Sequence, residues 1–138
     1  MIAVELHNDL SEIDRVQRLV EEHAADWALS PSSLNAINVS LDEVLTNIIS
    51  YGYDDDSEQH SIEVRVALET DGQVTVEVAD DGRPFNPLAM PQPDTHAAID
   101  ERPIGGLGIH LVLRLMDDVA YRRENDRNIL TLKRRARK

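Results

Sequence analysis

The chain has 138 residues, the length of one domain, and 41% of them are hydrophobic, which is enough for a core. It has no cysteine, which excludes disulfides, thiolate metal sites and a cysteine nucleophile. The formal net charge is −12, although eight of the 14 basic residues lie in 121–138. An acidic surface repels the phosphates of nucleic acid, so we do not expect nucleic acid to be the main ligand. We interpret the basic tail 133–138 as a solvated end. Because it has neither a signal peptide pattern nor an apolar run of roughly 20 residues, we expect a cytoplasmic protein without a membrane partner.

The chain is expected to open with a strand and a helix. Val4 and Leu6 alternate with polar residues, which predicts a short edge strand. Ser11 and Asp14 form a variant of the capping box, and apolar residues then recur at helical spacing. This pattern predicts a first helix over 12–28.

A second helix and a hairpin follow. Ser30 is a typical helix N-cap and Pro31 a typical first helical residue, so we predict a helix over 31–51. The apolar period then changes from 3.6 to 2 over 61–68 and again over 73–79, across an Asp-Gly turn. This predicts an antiparallel hairpin with one buried face.

The last third of the chain begins with an irregular stretch. Residues 80–106 hold most of the prolines and glycines, and a loop of that length in a compact domain is often functional. A helix over 107–117 and strands over 118–124 and 128–134 are predicted to follow. The element order predicts one α/β domain over 1–138, a two-layer sandwich with a mixed, largely antiparallel sheet and helices on one face.

Glu43 and Asn47 lie one turn apart on the second predicted helix, away from its apolar stripe. A carboxylate and an amide in this arrangement can act as a general base and a magnesium ligand. Taken alone, the pair also fits an ordinary solvated polar face.

Two glycine-containing segments are further candidates. Asp80 and Gly82 follow a predicted strand, where a carboxylate can accept a hydrogen bond from an exocyclic amine. Gly106 and Gly108 open a predicted helix, whose free N–H groups can bind phosphate. A plain turn and a glycine-rich hinge are the alternatives.

Together and in this order, the segments resemble the GHKL ATPase superfamily with its Bergerat nucleotide-binding fold. The matching segments are LDEVLTN at 41–47, DDGRPFNP at 80–87 and GGLGIHLV at 105–112. The similarity extends over nearly the whole chain and is closest to the anti-sigma-factor serine/threonine kinases.

The resemblance implies a role for each matching residue. Asn47 would bind magnesium, Glu43 would activate the attacking hydroxyl or water, and Asp80 would recognise the adenine amine with support from Gly82. Thr131 would help to hold the adenine region. The implied phosphate-side residues are Gly106, Leu107, Gly108 and Ile109. Residues 84–105 would form the nucleotide lid.

The resemblance also implies a function. The expected protein is a homodimeric anti-sigma factor that uses ATP and Mg²⁺ to phosphorylate a serine or threonine of a STAS-like anti-sigma-factor antagonist, and that also binds a sigma factor. The alternative is an ATP-dependent partner-switch module with little kinase activity, and the presence of Glu43 favours the kinase. A histidine kinase is disfavoured, because no acidic residue follows any of the five histidines.

Overall fold

The computed structural model describes residues 1–52, 60–89 and 106–138. Within them lie five strands, three helices and a 3₁₀ turn at Pro87–Ala89. In chain order the elements are β1 Ile2–His7, α1 Ser11–His23, α2 Pro31–Tyr51, β2 Ser61–Leu68, β3 Gln73–Asp80, α3 Gly106–Leu115, β4 Asp118–Glu124 and β5 Arg127–Arg135.

The strands form one sheet in the order β1-β2-β3-β5-β4, with β1 at one edge as predicted. All four pairings between the described strands are antiparallel, so this sheet is antiparallel throughout rather than mixed. The helices pack on one face, where alternate strand residues are buried. The predicted fold class, an α/β two-layer sandwich, is confirmed.

The core between the sheet and the helices is mostly aliphatic, with Trp27 as its aromatic member, in a chain of which only 4% is aromatic. Strands contribute every second residue, and the helices contribute residues three and four apart. The largest fully buried side chains include Leu6, Ile37, Leu41, Leu45, Ile62 and Leu132.

The first helix begins differently from the prediction. The side chain of Asp9, not that of Ser11, accepts the hydrogen bonds at the helix start, from the backbone N and the hydroxyl of Ser11 at 3.0 Å each. The helix ends at His23, and residues 24–28 form turns that reach the left-handed region at Ala28 (φ 52°). The capping box and the helical assignment of 24–28 were therefore wrong.

The second helix agrees with its predicted bounds. Ser30 is extended and its hydroxyl accepts from the backbone N of Ser33 at 3.0 Å, with Pro31 in the first turn. This cap fixes where α2 begins, and hence which side chains face the sheet roughly four turns later. None of the described helices is both long and apolar enough to cross a membrane.

The basic tail is part of the fold, so its interpretation as a solvated end was wrong. Arg134 is buried and its guanidinium donates to the carbonyl of Leu115 at 2.6 Å and to the hydroxyl of Ser33 at 3.2 Å. Lys138 forms an ion pair with Asp117. These contacts join the end of β5 to the start of α2 and the end of α3.

Candidate nucleotide site

A cavity of about 220 Å³ lies between α2, α3 and the neighbouring ends of β3 and β5. Its polar side chains are Glu43, Asn47, Asp80, Arg83 and Asn128. Its aliphatic and aromatic walls come from Val44, Ile48, Val78, Phe85, Ile109, Val112, Tyr121 and Leu130. The cavity is therefore mostly apolar with a few polar groups, which is typical of a small-ligand site.

Glu43 and Asn47 line the cavity from α2, one turn apart and both half-buried. A Cβ at position 108 would overlap the Glu43 carboxylate, so a glycine there allows this carboxylate to keep its position. The first turn of α3 thus packs directly on the side chain predicted to be the base. The positive end of the α3 dipole, roughly +0.5 charge, lies close to that carboxylate.

Asp80, the last residue of β3, is 5% exposed. Its Oδ1 accepts from the backbone N of Gly82 at 2.9 Å and from the Asn128 amide at 3.1 Å. Burial raises the pKa of Asp80, and repulsion from Asp81 adds to the rise, while the two hydrogen bonds and Arg123 oppose it. The carboxylate is thus held in one orientation by donors that carry no charge.

Gly82 packs closely against the end of α2. A Cβ there would lie 2.5 Å from the carbonyl oxygen of Gly52 and 2.9 Å from Asp80 Oδ1. Arg83 N donates to that same Gly52 carbonyl at 3.3 Å, and Arg123 donates to the carbonyl of Gly82 at 2.8 Å. Only a glycine lets the Asp80 turn pack this closely on the end of α2.

The predicted phosphate-side residues lie at the start of α3. Gly106 is its first residue and Leu107 the second, while Ile109 is buried and lines the cavity. Residues 84–89 of the predicted lid are described and include the 3₁₀ turn, and 90–105 lie outside the described residues.

Thr131 does not reach the cavity. Its strand neighbours Leu130 and Leu132 are buried on the helix-covered face, so Thr131 lies on the opposite face, beside Glu77 of β3. The residue of β5 that contacts Asp80 is Asn128.

Sequence reasoning missed Asn128 as a site residue. Its Nδ2 donates to Asp80 Oδ1 at 3.1 Å and to the carbonyl of Arg83 at 2.8 Å. Its Oδ1 accepts from Phe85 N at 3.2 Å and from the Tyr121 hydroxyl at 2.6 Å. The period of two along β5 was the available signal, since it places Asn128 on the same face as the buried leucines.

The cavity suits a nucleotide and its metal in chemical terms. Asn47 and Glu43 present oxygen atoms, which Mg²⁺ prefers, and a nucleotide-bound Mg²⁺ usually takes only one or two protein ligands beside phosphates and water. In the described ranges no cluster of three or more His, Asp or Glu forms a metal cage. The residues present fit a magnesium ion held jointly by Asn47 and phosphate.

Comparison with known proteins finds chains of similar sequence and fold. The serine/threonine-protein kinase BtrW of Bordetella bronchiseptica is 28% identical over 97 residues, a match covering 70% of this chain and 66% of BtrW, just under two thirds of its length. The RsbU and RsbW domains of a Mycobacterium tuberculosis protein superpose with a TM-score of 0.68 at 18% identity, over 97% of this chain and 31% of that one. The histidine kinase domain of a blue-light-activated histidine kinase from Erythrobacter litoralis gives a TM-score of 0.56 at 16% identity, over 92% and 64% of the two chains. At such identities the two superpositions show the fold alone.

The family comparison covers more of the chain. The sequence model of the histidine kinase-like ATPase domain matches residues 6–134. That range includes every strand except the first residues of β1 and the end of β5, together with all residues of the cavity. The chain belongs to the histidine kinase-like ATPase domain family.

Proposed function

We propose that this chain binds ATP with Mg²⁺ and acts as a serine/threonine protein kinase in an anti-sigma-factor partner switch. The observation that carries the proposal is that Glu43, Asn47 and Asp80 line one cavity beside the first turn of α3. The match to BtrW, a relative named as a serine/threonine-protein kinase, supports the same reaction.

Asp80 is proposed to recognise the base. Two donors already bind its Oδ1, which leaves Oδ2 as an acceptor for an N–H group of the ligand. An ionised carboxylate cannot donate a hydrogen bond, so it favours the adenine amine over a carbonyl at the same ring position. The Phe85 ring and the aliphatic wall residues supply apolar surface for the rest of the base.

Glu43 and Asn47 are proposed to act at the other end of the nucleotide. The hydroxyl oxygen of the substrate serine or threonine attacks the γ-phosphorus, and the bond from that phosphorus to the bridging oxygen of ADP breaks. Glu43 accepts the proton of the attacking hydroxyl and returns it to solvent, and Asn47 is the residue that would hold the metal. Bound Mg²⁺ would neutralise the phosphate charge. The backbone N–H groups at Gly106 and Gly108 are proposed to hold the phosphates.

The kinase assignment is tested by three variants of α2. Glu43→Gln should lower phosphoryl transfer to a purified antagonist domain by about 10²–10⁴-fold and leave ATP affinity nearly unchanged. Asn47→Ala should weaken Mg²⁺ and ATP binding together. Asp42→Asn, which removes the neighbouring exposed carboxylate, is the matched control and should change neither property.

The result that separates the two functions is the activity of the wild type. Strong ATP binding without phosphorylation of any serine or threonine would favour the partner-switch module over the kinase. Equal affinity for ATP and GTP would contradict the role of Asp80.

We also propose a homodimer that binds a sigma factor in one nucleotide state and a STAS-like antagonist in the other. The net charge of −12 suits a basic partner surface. Exchange requires different affinities in ATP and ADP, because a nucleotide that binds both states equally shifts nothing. Sedimentation at micromolar concentration tests the dimer, and competition between the partners in each nucleotide tests the switch.

A further inference from the structure

The amide of Asn128 uses its full ordinary hydrogen-bonding capacity. It donates twice, to Asp80 and Arg83, and it accepts twice, from Phe85 and Tyr121. Exchanging the nitrogen and oxygen would place a donor against the N–H of Phe85, so these partners fix the orientation of the amide. The side chain is 8% exposed, which makes every one of these bonds costly to lose.

The four partners of Asn128 belong to three different parts of the cavity wall. Asp80 ends β3, Tyr121 lies in β4, and Arg83 and Phe85 belong to the irregular segment that follows β3. All four line the cavity. A single amide on β5 therefore joins the carboxylate side of the cavity to its aromatic side.

This junction has two separate effects on the cavity. The hydrogen bonds that Asn128 and Gly82 donate to Asp80 Oδ1 fix the orientation of the carboxylate and use one of its two oxygens. The bond from Phe85 N fixes the backbone beneath a ring that is 37% exposed and belongs to neither a helix nor a strand. Ordering such a segment before ligand binding reduces the entropy that binding would otherwise cost.

We infer that Asn128 is a positioning residue that sets base specificity by fixing Asp80 and Phe85 relative to each other. This inference rests on the proposed function, since it assumes that the ligand is an adenine nucleotide. Asn128 acts through its neighbours and does not itself need to contact the base.

The decisive measurement is the ratio of the affinities for ATP and inosine triphosphate, which carries a carbonyl in place of the adenine amine. Asn128→Asp is isosteric and keeps the acceptor for Phe85 and Tyr121, but it replaces the donor with an oxygen facing Asp80. We expect it to lower the preference for ATP at least tenfold. Asn125→Asp is the matched control: it makes the same chemical change at an exposed residue of the β4–β5 turn that does not line the cavity, so the preference should change less than about threefold.

The ratio is insensitive to the fraction of folded protein, because both nucleotides bind only the folded form. Asn128→Ala is the second variant and should show the same loss, with faster hydrogen exchange at the amide of Phe85. In an Asp80→Ala background, the further change Asn128→Ala should hardly alter the ratio.

The outcomes separate the inference from the function on which it rests. A wild type that does not bind ATP, or does not prefer it to inosine triphosphate, contradicts the proposed function. A wild type that prefers ATP, with variants at Asn128 that keep the full preference, overturns the inference alone. An undiminished effect of Asn128→Ala in the absence of the Asp80 carboxylate overturns it too, because Asn128 would then act on the base directly.

Discussion

At the scale of one residue, Asp80 is a buried carboxylate in the cavity wall that costs the folded protein stability. The carboxylate is almost fully buried, and the donors to its Oδ1 are a backbone amide and the Asn128 side chain, both uncharged. Burial raises the pKa of Asp80, so the folded protein holds this proton more tightly than the unfolded chain does. The contribution of Asp80 to stability therefore falls as the pH rises through the interval between the unfolded and folded pKa values.

We expect Asp80→Asn to stabilise the ligand-free protein at pH 7 while weakening ATP binding at least tenfold. The amide keeps an acceptor for Gly82 and Asn128 but carries no charge to desolvate, and it loses the ionised acceptor for the adenine amine. Urea unfolding at several pH values tests the first part. The gain should vanish once acid has protonated Asp80 in the wild type, and a gain that persists there would contradict this explanation.

Gly108 gives a second prediction at this scale. The three atoms nearest to an added Cβ all belong to Glu43: Oε2, Cδ at 3.3 Å and Cβ at 3.6 Å. Because the first of these is the end of a flexible side chain, Gly108→Ala should displace the carboxylate and leave the fold intact. Phosphoryl transfer should then fall by at least tenfold in the wild-type background.

The control for Gly108→Ala is the same change in a Glu43→Ala protein. Only the Cβ of residue 43 remains there, at ordinary van der Waals distance. Gly108→Ala should therefore be nearly neutral for ATP affinity in that background. A large further loss of affinity would show instead that the added methyl group obstructs the phosphates.

At the scale of the element, α2 carries two buried hydroxyls with opposite environments. Ser33 donates to the carbonyl of Arg135 at 2.6 Å and accepts from Arg134, whereas Ser40 Oγ is buried without a hydrogen-bond partner in the described part of the chain. Both residues are fully buried. Substituting each serine by alanine therefore compares a hydrogen-bonded hydroxyl with an unpartnered one at equal burial.

We expect Ser40→Ala to raise the free energy of unfolding by about 1 kcal/mol and Ser33→Ala to lower it by about 1–3 kcal/mol. The first change removes a desolvated hydroxyl that has no partner, and the second leaves the partly buried carbonyl of Arg135 without this donor and the buried Nε of Arg134 without this acceptor. Urea denaturation of the two variants measures both values. Equal losses would show that the hydroxyls serve only as packing volume.

The bounds of the helices were predicted from the sequence with unequal accuracy. α2 was predicted to the residue because its signals, the cap at Ser30 and the apolar period, are local. The start of α1 was misassigned because Asp9 and Ser11 both offer a cap, and local spacing does not decide between them. Asn128 was missed because its role depends on pairing with β3, a contact between residues 48 positions apart.

The same limit applies to the site as a whole. Glu43, Asn47, Asp80 and Gly82 follow from motifs, and each lies at or beside the cavity. Thr131 has the residue type and the strand that the resemblance implies, but it lies between Leu130 and Leu132, whose burial places it on the opposite face of the sheet. The motifs therefore identified residues that meet at one cavity, whereas the hydrogen bonds of Asn128 around Asp80 depend on how the strands pair.

At the scale of the molecule, basic side chains near the end of the chain form ion pairs with acidic side chains of the earlier strands. Arg122 approaches Glu77 at 4.0 Å and Arg127 pairs with Glu63 at 3.0 Å, both across the sheet. These pairs are partly exposed and each contributes little stability. The buried Arg134 is different, because its guanidinium donates hydrogen bonds to both α2 and α3 and so links β5 to the two helices.

We expect Arg134→Met to lower the free energy of unfolding by about 2 kcal/mol, since the charge-assisted hydrogen bonds to the Leu115 carbonyl and to the hydroxyls of Ser32 and Ser33 are lost. Arg135→Met is the matched control: its side chain is exposed, so its effect should stay within about 0.5 kcal/mol. Chemical denaturation compares the two. Similar losses would mean that charge alone, rather than the junction, is responsible.

The position of the last residue has a practical consequence. Ser30 at the start of α2 donates to the backbone carbonyls of Ala136 and Lys138, so residue 138 is held beside that end of the helix. Asn47 lies 17 residues after Ser30 along α2, roughly 26 Å away at the helical rise. A tether, dye or fused module attached after residue 138 therefore leaves from the end of the domain remote from the cavity. Protein immobilised through this end should keep its nucleotide affinity.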